Sequence, residues 1–338
     1  MIPFIKLRWL WYTVSGSLIV LSIIGVLVRG VPYGIDFSGG AMMELRYTKE
    51  VPSSDSIKAI TDRLNISSAN IQRTETGYIL RMPEINDQTH MQLLAELRSA
   101  IGQKGNAPQV NVQNAPGAEG IKLDVAGTTV NGQEANSQAD VDANQVIELR
   151  FDTVGPVVGK ELKTRSVQAL ILVLLAIMAY IAFAFRKVSW PVKSWKYGAA
   201  AVLALFHDVI ITIGVYVWVA SFTGWEVDTV FIAALLTILG YSVNDTIVVF
   251  DRIRENLPRM SGQFDDVVNA SVNQTLGRSI NTSMTTILVM LAIFIFGGST
   301  LRPFTFALVI GIGLGTYSSI FIASPILVTW NRLTQRQK

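Results

Sequence analysis

The chain has no cysteine and little charge. Disulfide bonds, thiolate metal sites and cysteine nucleophiles are therefore excluded. Only 16% of the 338 residues are charged, whereas half are hydrophobic, which is far from the composition of an average soluble domain. Nucleotide-binding loops, zinc-ligand spacings and nucleophile–base arrangements are also missing. The sequence predicts a membrane protein that is not an enzyme and carries no cofactor.

The lysines and arginines do not indicate a nucleic-acid partner. The formal net charge is +3, but the basic residues are scattered along loops without interleaved aromatic residues. The partner that the composition does predict is the lipid bilayer.

Six apolar runs are long enough to cross a bilayer, which takes roughly 20 residues of helix. The third and fourth runs each contain one aspartate, and the other four contain no charged residue. The predicted spans are residues 9–28, 166–185, 197–220, 229–250, 279–296 and 303–329.

The first run also resembles a secretory signal, since Lys6 and Arg8 precede it. It is long for a signal and no small-x-small cleavage site follows, which favours an uncleaved anchor. In the short flanking segments, the basic residues lie on the side of the two termini, with Arg302 alone on the other side. The positive-inside rule then makes residues 1–8, 251–278 and 330–338 cytoplasmic.

The loop 29–165 is predicted to fold outside the membrane, in the periplasm or at the outer cell surface. Alternating apolar residues predict strands and two capped segments predict helices, in the order βαββαβ. This order is that of an α+β, ferredoxin-like unit. Residues 103–144 are rich in Asn, Gln, Gly and Ala and contain no aromatic residue, which predicts a flexible insert before the last strand.

Asp245 is the sharpest candidate for a functional residue. It lies five residues inside the predicted end of the fourth span at Phe250, and an ionisable side chain in a span costs about 2.5–3.5 kcal/mol on insertion scales. A helix that ended at Asn244 would make Asp245 interfacial, but it would leave the apolar run 246–250 in water. If the helix continues to Phe250, Asp245 is buried within the span, which predicts a proton-binding carboxylate.

Asp208 lies near the middle of the third span, within one to two helical turns of the depth of Asp245. The two carboxylates are close enough in depth to form one polar site between helices, and a structural role in helix pairing is the alternative for Asp208. His207 precedes it, and a hydrogen-bonded packing residue is its more ordinary interpretation.

Arg278 opens the fifth span, and Thr282 and Thr285 follow it on the same helix face. A row of hydroxyls above a cation can conduct a proton, but it can also join helices. Arg278 is equally explained as a positive-inside residue. We predict that these residues form a proton relay with Asp245 and Asp208, because Asp245 has no other obvious cation at its depth.

The segment GIDFSGG, residues 34–40, follows the first span. Gly34, Gly39 and Gly40 permit sharp or positive-φ turns, and Asp36 is expected to fasten the turn by accepting backbone hydrogen bonds. The segment is either a static connector or a coupling hinge between the membrane part and the outer domain.

The sixth span contains small residues one helical turn apart. Gly311 and Gly315 predict close helix packing. Ser318, Ser319 and Ser324 follow, and no role is assigned to them.

Five motifs in order along the chain resemble those of the SecF family, the smaller half of the SecDF complex of the bacterial Sec translocase. They cover nearly the whole chain and occupy the expected places relative to the spans. The motifs are GIDFSGG at 34–40, VGPVVGKEL at 154–162, GYSVNDTIVVFDRIREN at 240–256, SVNQTLGRSINTSMTTI at 271–287 and GTYSSIFIASPIL at 315–327.

The resemblance implies a six-helix half of an RND-type bundle, completed by SecD in the bacterial cytoplasmic (inner) membrane. It also implies that proton flow helps a translocating preprotein to leave the SecYEG channel on the outer side. The family's carboxylate in the fourth span and its arginine in the fifth match Asp245 and Arg278, and its HD pair matches Asp208 less decisively. The insert 103–144 is longer than the family pattern.

Two other functions belong to different classes. One is a non-pumping scaffold that links SecYEG to a YidC-type insertase, with Asp245 and Arg278 as a structural ion pair. The other is a small-molecule exporter of the RND type, which is disfavoured because the outer domain is a single small unit.

Overall fold

The helices of the chain extend beyond the apolar runs that predict them. The computed structural model describes residues 1–66, 69–100, 145–186 and 192–335, so the predicted insert 103–144 lies outside the described residues. In chain order the elements are α1 (Arg8–Arg29), α2 (Ile35–Ser38), β1 (Gly40–Tyr47), α3 (Ser54–Arg63), β2 (Asn70–Arg73), β3 (Gly77–Met82), α4 (Asp87–Ala100), β4 (Val146–Val154), α5 (Pro156–Ala184), α6 (Ser194–Thr223), α7 (Thr229–Asn256), α8 (Phe264–Phe296), α9 (Arg302–Ser318), a π-helical turn (Ser319–Ala323) and α10 (Ser324–Gln335).

Within the described residues, six helices are long and apolar enough to cross a membrane: α1, α5, α6, α7, α8 and the continuous α9–α10. Helix α5 begins ten residues before the predicted span 166–185, and α8 begins fifteen residues before the span 279–296. Much of the predicted loop 251–278 is therefore helical. Charged residues end an apolar run, but they do not interrupt helical hydrogen bonding, which explains the difference.

The chain forms two compact units, residues 1–38 with 157–338 and residues 39–156. The first is the helical unit and the second contains the sheet. The sheet unit is shorter than the predicted outer domain 29–165, because residues 29–38 and 157–165 belong to the helical unit.

Glycines bring α9 into close contact with α7 at the centre of the helical unit. A Cβ atom on Gly311 would lie 2.2 Å from Ile238, and one on Gly315 would lie 2.7 Å from the Cβ of Ser242. The close packing predicted for these glycines is confirmed. By contrast, most side chains of α5 are exposed, and α8 has no buried residue after Ser283.

The sheet unit is a four-stranded antiparallel sheet with the strand order β2-β3-β1-β4. Met43 of β1 lies opposite Leu80 of β3 on one side and Phe151 of β4 on the other. The buried core combines one face of this sheet with side chains of α3 and α4, which include Leu93 and Leu97. The elements follow the predicted order βαββαβ.

Capping residues start both helices of the sheet unit. The Ser53 side chain accepts a hydrogen bond from the Ser56 amide at 3.3 Å, and Asn86 accepts one from the Thr89 amide at 2.8 Å. The sequence predicts a cap at the start of the first helix and one at Asn86 or Asp87 for the second. The caps satisfy amides that a helix leaves unpaired at its start.

A buried tyrosine hydroxyl lies in the core of the sheet unit. Tyr47 packs edge-on against Tyr78, with ring centroids 6.3 Å apart, and its hydroxyl has no hydrogen-bond partner among the described residues. Burial, with a smaller contribution from Tyr78, raises the pKa of Tyr47 to about 12.

Candidate functional site

Two carboxylates are buried where the central helices of the helical unit meet. Asp208 of α6 is 0% exposed and Asp245 of α7 is 6% exposed. Both lie within helices long and apolar enough to cross a membrane. The alternative in which the helix ends at Asn244 is contradicted, because α7 continues to Asn256.

Asp208 contacts three polar side chains from three segments of the helical unit. Its Oδ2 atom accepts hydrogen bonds from the Ser242 hydroxyl of α7 at 2.6 Å and from the Ser318 hydroxyl of α9 at 2.8 Å. Its Oδ1 atom lies 2.9 Å from Nδ1 of the neighbouring His207. The carboxylate therefore joins α6 to both α7 and α9.

Asp245 is bound by two hydroxyls. The Ser279 hydroxyl of α8 donates to Oδ1 at 2.5 Å, and the Ser319 hydroxyl donates to Oδ2. Within the described parts of the chain, neither Asp245 nor Asp208 forms an ion pair with a lysine or an arginine. The side chains that bind the two acids are therefore four serine hydroxyls and His207.

The close packing of α9 against α7 is what brings the serines to the acids. Gly311, Gly315 and Ser319 follow one another at intervals of one helical turn and so share a helix face. Since Gly315 lies against Ser242, the next turn reaches the level of Asp245, three residues further along α7. Ser318 and Ser319 were assigned no role from the sequence, although this spacing was visible there.

A π-helical turn begins at Ser319 and ends at Ala323. The Ser324 hydroxyl donates to the Ser319 carbonyl five residues earlier, at 3.0 Å. Such turns interrupt the regular α-helical hydrogen-bond ladder and occur frequently at functional sites. The sixth span therefore changes its helical register at the residue that contacts Asp245.

The predicted hydroxyl row on α8 does not face Asp245. Arg278, Thr282 and Thr285 are exposed, and the threonine hydroxyls donate to carbonyls of their own helix, those of Arg278 and Thr282 respectively, each at 2.9 Å. Ser279, one residue after Arg278, is the α8 residue that reaches the acid. Among the described contacts, Arg278 forms no ion pair with Asp245.

His207 has contacts for its ring face and for one of its two ring nitrogens. The ring stacks on Tyr317 with centroids 5.9 Å apart, and Nδ1 contacts Asp208. The Nε2 atom is buried and has no hydrogen-bond partner among the described residues. The packing interpretation therefore accounts for the ring and for Nδ1, and leaves Nε2 unexplained.

The predicted hinge GIDFSGG divides into two parts. Gly39 and Gly40 have φ angles of 74° and 127°, as predicted, whereas Gly34 does not have a positive φ. Asp36 does not fasten its own turn. Its Oδ2 atom instead accepts hydrogen bonds from the amide and the hydroxyl of Thr229, at 2.9 and 2.5 Å, at the start of α7.

The described residues contain no evident metal site. No group of three or more His, Asp or Glu side chains there is arranged to hold a metal ion. What the arrangement of Asp208, Asp245 and their hydroxyl donors can do chemically is to exchange protons.

Family models match most of the chain. Residues 133–333 match the model of the protein export membrane protein SecD/SecF, C-terminal domain. Residues 24–51, which include the segment 34–40, match the SecD/SecF GG motif.

Individual relatives are similar over nearly the full length. The protein translocase subunit SecF of Thermobaculum terrenum is 38% identical over 98% of this chain and 94% of its own length. The corresponding subunit of Vibrio alginolyticus is 35% identical over 95% and 87%.

Two solved structures share the fold. The crystal structure of SecDF, a translocon-associated membrane protein from Thermus thermophilus, is 30% identical with a TM-score of 0.75, over 97% of this chain and 38% of that chain. A SecDF structure in a super-membrane-facing form has 31% identity and a TM-score of 0.62, over 99% and 39%. This chain thus spans well under half the length of the SecDF chains it matches.

Proposed function

This chain belongs to the SecF family of protein translocase subunits, and we propose that it couples the proton motive force to late-stage protein export. The observation that carries the proposal is the pair of buried acids, Asp208 and Asp245, bound by serine hydroxyls of α7, α8 and α9. A buried carboxylate is costly when it is charged. Binding or releasing one proton therefore changes the energy of this helix contact more than it would change that of a surface contact.

Arg278 provides the second state of the site. Consecutive residues of a helix point about 100° apart, so a rotation of α8 that withdraws Ser279 from Asp245 would bring Arg278 towards it. The ionised acid is then compensated by a cation, and the protonated acid by the hydroxyls. Thr282 and Thr285 share the exposed face of Arg278 and line the route by which a proton would arrive.

The energy available from protons is sufficient for a movement of this kind. One elementary charge moved through 100 mV releases about 2.3 kcal/mol. A few protons per cycle therefore supply the several kcal/mol that a domain movement costs.

A second subunit completes the assembly, and we propose that it is SecD. Helices α5 and α8 expose large apolar side chains along the membrane, such as Leu172 (68% exposed) and Leu288 (58%). Some of this surface suits a partner's helices and some suits lipid. SecYEG and the translocating preprotein are the further partners that this function requires.

The location follows from the same proposal. The chain lies in the bacterial cytoplasmic (inner) membrane with both termini in the cytoplasm, since basic residues flank the spans on that side. The sheet unit is then periplasmic or extracellular. Its βαββαβ order and antiparallel sheet support a ferredoxin-like fold.

A scaffold that only holds translocase and insertase components together is the second candidate. A scaffold needs exposed apolar faces to bind its partners, and α5 and α8 supply them. A pump needs the same faces. The two candidates differ in whether Asp245 must carry a proton.

Replacing Asp245 by Asn in the complex with SecD and SecYEG tests the difference. Asn keeps the shape of the side chain but cannot exchange a proton. We expect gradient-dependent preprotein release in proteoliposomes to be lost while the complex still assembles. Asp251→Asn is the matched control, because Asp251 lies on the same helix but is exposed and pairs with Arg254. Gradient-dependent release by the Asp245→Asn complex would reject the pump and favour the scaffold.

A further inference from the structure

Helix α5 packs closely against α6 near its C-terminal end. A Cβ atom on Gly198 of α6 would lie 2.9 Å from the Met178 carbonyl of α5. Phe185, the residue after α5, stacks on Tyr197 of α6 with ring centroids 5.3 Å apart, and Ile181 is fully buried. Towards the start of α5, by contrast, a cavity of about 180 Å³ lies between this helix, α6 and α7.

The walls of this first cavity are mostly apolar. They include Leu170 of α5, Ile213 of α6 and Leu235 of α7. Tyr33 and Val167 also line the cavity and are 42% and 51% exposed, so it lies at the surface of the helical unit. Pockets for drug-sized ligands usually measure about 300–1,000 Å³. A volume of about 180 Å³ therefore suits a narrower apolar group, such as one lipid acyl chain.

A second apolar cavity, of about 210 Å³, lies between α1 and α6. Its walls include Val26 and Leu27 of α1 and Ile210 of α6. Ile213 lines this second cavity as well as the first, so the two cavities are neighbours. Leu27 is 78% exposed, and the second cavity therefore also lies at the surface. Two neighbouring surface cavities of similar size match the two acyl chains of one phospholipid.

A cation accompanies each cavity. Lys163 lines the first cavity, with its Nζ atom 3.9 Å from the centre of the Tyr33 ring. Arg29 is the last residue of α1, two positions after the wall of the second cavity, and its guanidinium lies 5.8 and 5.7 Å from the ring centres of Trp218 and Phe222. An aromatic ring attracts a cation without neutralising its charge. Within the described parts of the chain, neither cation forms an ion pair with an acid.

Both cations lie at the end of the helical unit where α7 begins. Tyr33, which follows Arg29 by four residues and contacts the lysine, forms a β-bridge with the residue two positions before α7. Two acids at this end have partners of their own, since Asp36 binds the start of α7 and Glu161 pairs with Arg165. The two cations are therefore available to an anionic group. With the membrane orientation proposed above, this end of the unit lies at the outer leaflet.

We propose that the two cavities bind one anionic phospholipid of the outer leaflet, with its acyl chains in the cavities and its headgroup attracted by Lys163 and Arg29. Basic side chains near a membrane surface attract anionic headgroups, and aromatic residues such as Tyr33 and Trp218 are favoured at the level of the headgroups. The choice of leaflet rests on the proposed location of the chain, whereas the site itself does not depend on proton coupling.

Ordinary surrounding lipid and a helix of a partner subunit are the alternative occupants. Lipids that merely surround a membrane protein fill its surface grooves whatever their headgroup. An apolar partner helix would leave both cations without an anion. The two basic residues therefore favour an anionic lipid over both alternatives.

Photolabelling of the full complex with SecD tests this site. The complex is placed in phosphatidylcholine vesicles that contain a trace of phosphatidylglycerol with a diazirine near the end of one acyl chain, and labelled peptides are identified by mass spectrometry. We expect label on the segments of α5 and α6 that line the cavities, and at least about fivefold less label from the matching phosphatidylcholine probe, which is the effect of one basic residue at an anionic surface.

Loss of either cation should weaken binding without disturbing the fold, because both side chains are exposed. Lys163→Gln and Arg29→Gln should each reduce the phosphatidylglycerol label about fivefold. Arg165→Gln is the matched control, since Arg165 is exposed on the same helix as Lys163 and lines neither cavity. The control should leave the label unchanged.

A larger side chain at the shared wall tests the cavities themselves. Ile213→Phe adds volume where the two cavities meet and should reduce the label. Leu203→Phe should not reduce it, because Leu203 is on the same helix, is 50% exposed and lines neither cavity. Co-purification with SecD shows that each variant still folds.

Three outcomes would overturn the proposal. The first is equal labelling by the two lipid probes, and the second is unchanged labelling after loss of both cations. The third is cross-linking of a Val167→Cys thiol to SecD in place of lipid label, which would identify a partner helix as the occupant. None of these measurements uses a proton gradient, so failure of the proton-coupled function would leave their results unaffected.

Discussion

Ser318 and Ser319 are neighbours in the chain but bind different acids. Ser318 donates to Asp208 and Ser319 donates to Asp245. Since consecutive helix residues point about 100° apart, the sixth span lies between the two carboxylates and contacts both. A change in the protonation of either acid therefore alters a hydrogen bond of this span, either at Ser319, where its π-helical turn begins, or at the residue before it.

The first prediction concerns the strength of the contact between Ser319 and Asp245. Ser319→Ala should destabilise the protein by about 1–3 kcal/mol, because it leaves a buried carboxylate without one of its donors. In an Asp245→Ala background the same substitution should cost much less, and unfolding of the four variants in mixed micelles gives the coupling energy.

A buried serine away from the acids provides the control for this cycle. Ser15 is 3% exposed and its hydroxyl bonds to that of Tyr317 at 3.0 Å. Ser15→Ala should show no coupling to Asp245→Ala. Equal costs of Ser319→Ala in both backgrounds would mean that the hydroxyl does not compensate the charge.

The second prediction concerns the glycines that seat α9 against α7. Gly311→Ala and Gly315→Ala should each destabilise the helical unit by about 1–3 kcal/mol, since the new methyl groups overlap Ile238 and Ser242. Gly313→Ala is the matched control on the same helix, because a Cβ atom there would meet nothing within 4 Å. The control should be neutral or stabilising, by up to about 1 kcal/mol, as expected for Gly→Ala in a helix. Thermal unfolding of the three purified variants ranks them, and equal behaviour would contradict this packing.

The third prediction is a pH dependence in the sheet unit. The pKa of Tyr47 is raised from 10.0 to about 12 by burial, so folding favours its protonated form. The stability that depends on this proton is fully present below pH 10 and is lost as the pH rises towards 12. Tyr47→Phe should therefore be less sensitive than the wild type over this interval.

Tyrosinate absorbance measures this titration directly. The difference between the titration curves of the wild type and of Tyr47→Phe reports one hydroxyl. Its midpoint is expected near pH 12. A midpoint near pH 10, the ordinary value, would show that the hydroxyl is accessible to water.

The position of Asp245 within a long apolar helix was predictable from the sequence, because the rule that singles it out depends on one segment only. A carboxylate inside an apolar run is costly wherever the run packs. Its partners depend on other segments. Ser279 follows Arg278 directly, and choosing between the two requires the rotation of α8 about its axis, which is set by packing against neighbouring helices.

The serines of the sixth span were missed for a related reason. Hydroxyl residues are common in membrane helices, where they bond to carbonyls of their own helix. The spacing of Gly311, Gly315 and Ser319 places them on one helix face. Because the glycines pack against α7, the next turn of that face, with Ser319, lies against Asp245. Predicting the contact between Ser319 and Asp245 would have required knowing which helix the glycines contact.

The amino-acid sequence by itself determined the six long apolar helices, the two acids within them, the order βαββαβ of the sheet unit and its capped helices. Each of these depends on residues close together in the chain, through hydrophobic length, alternation and local hydrogen bonds. Only the tertiary structure decided that serines rather than Arg278 bind Asp245, and that Asp36 binds Thr229 rather than its own turn. Those contacts join residues separated by up to 193 positions. The rotation and depth of one helix against another select them, and no local pattern specifies either.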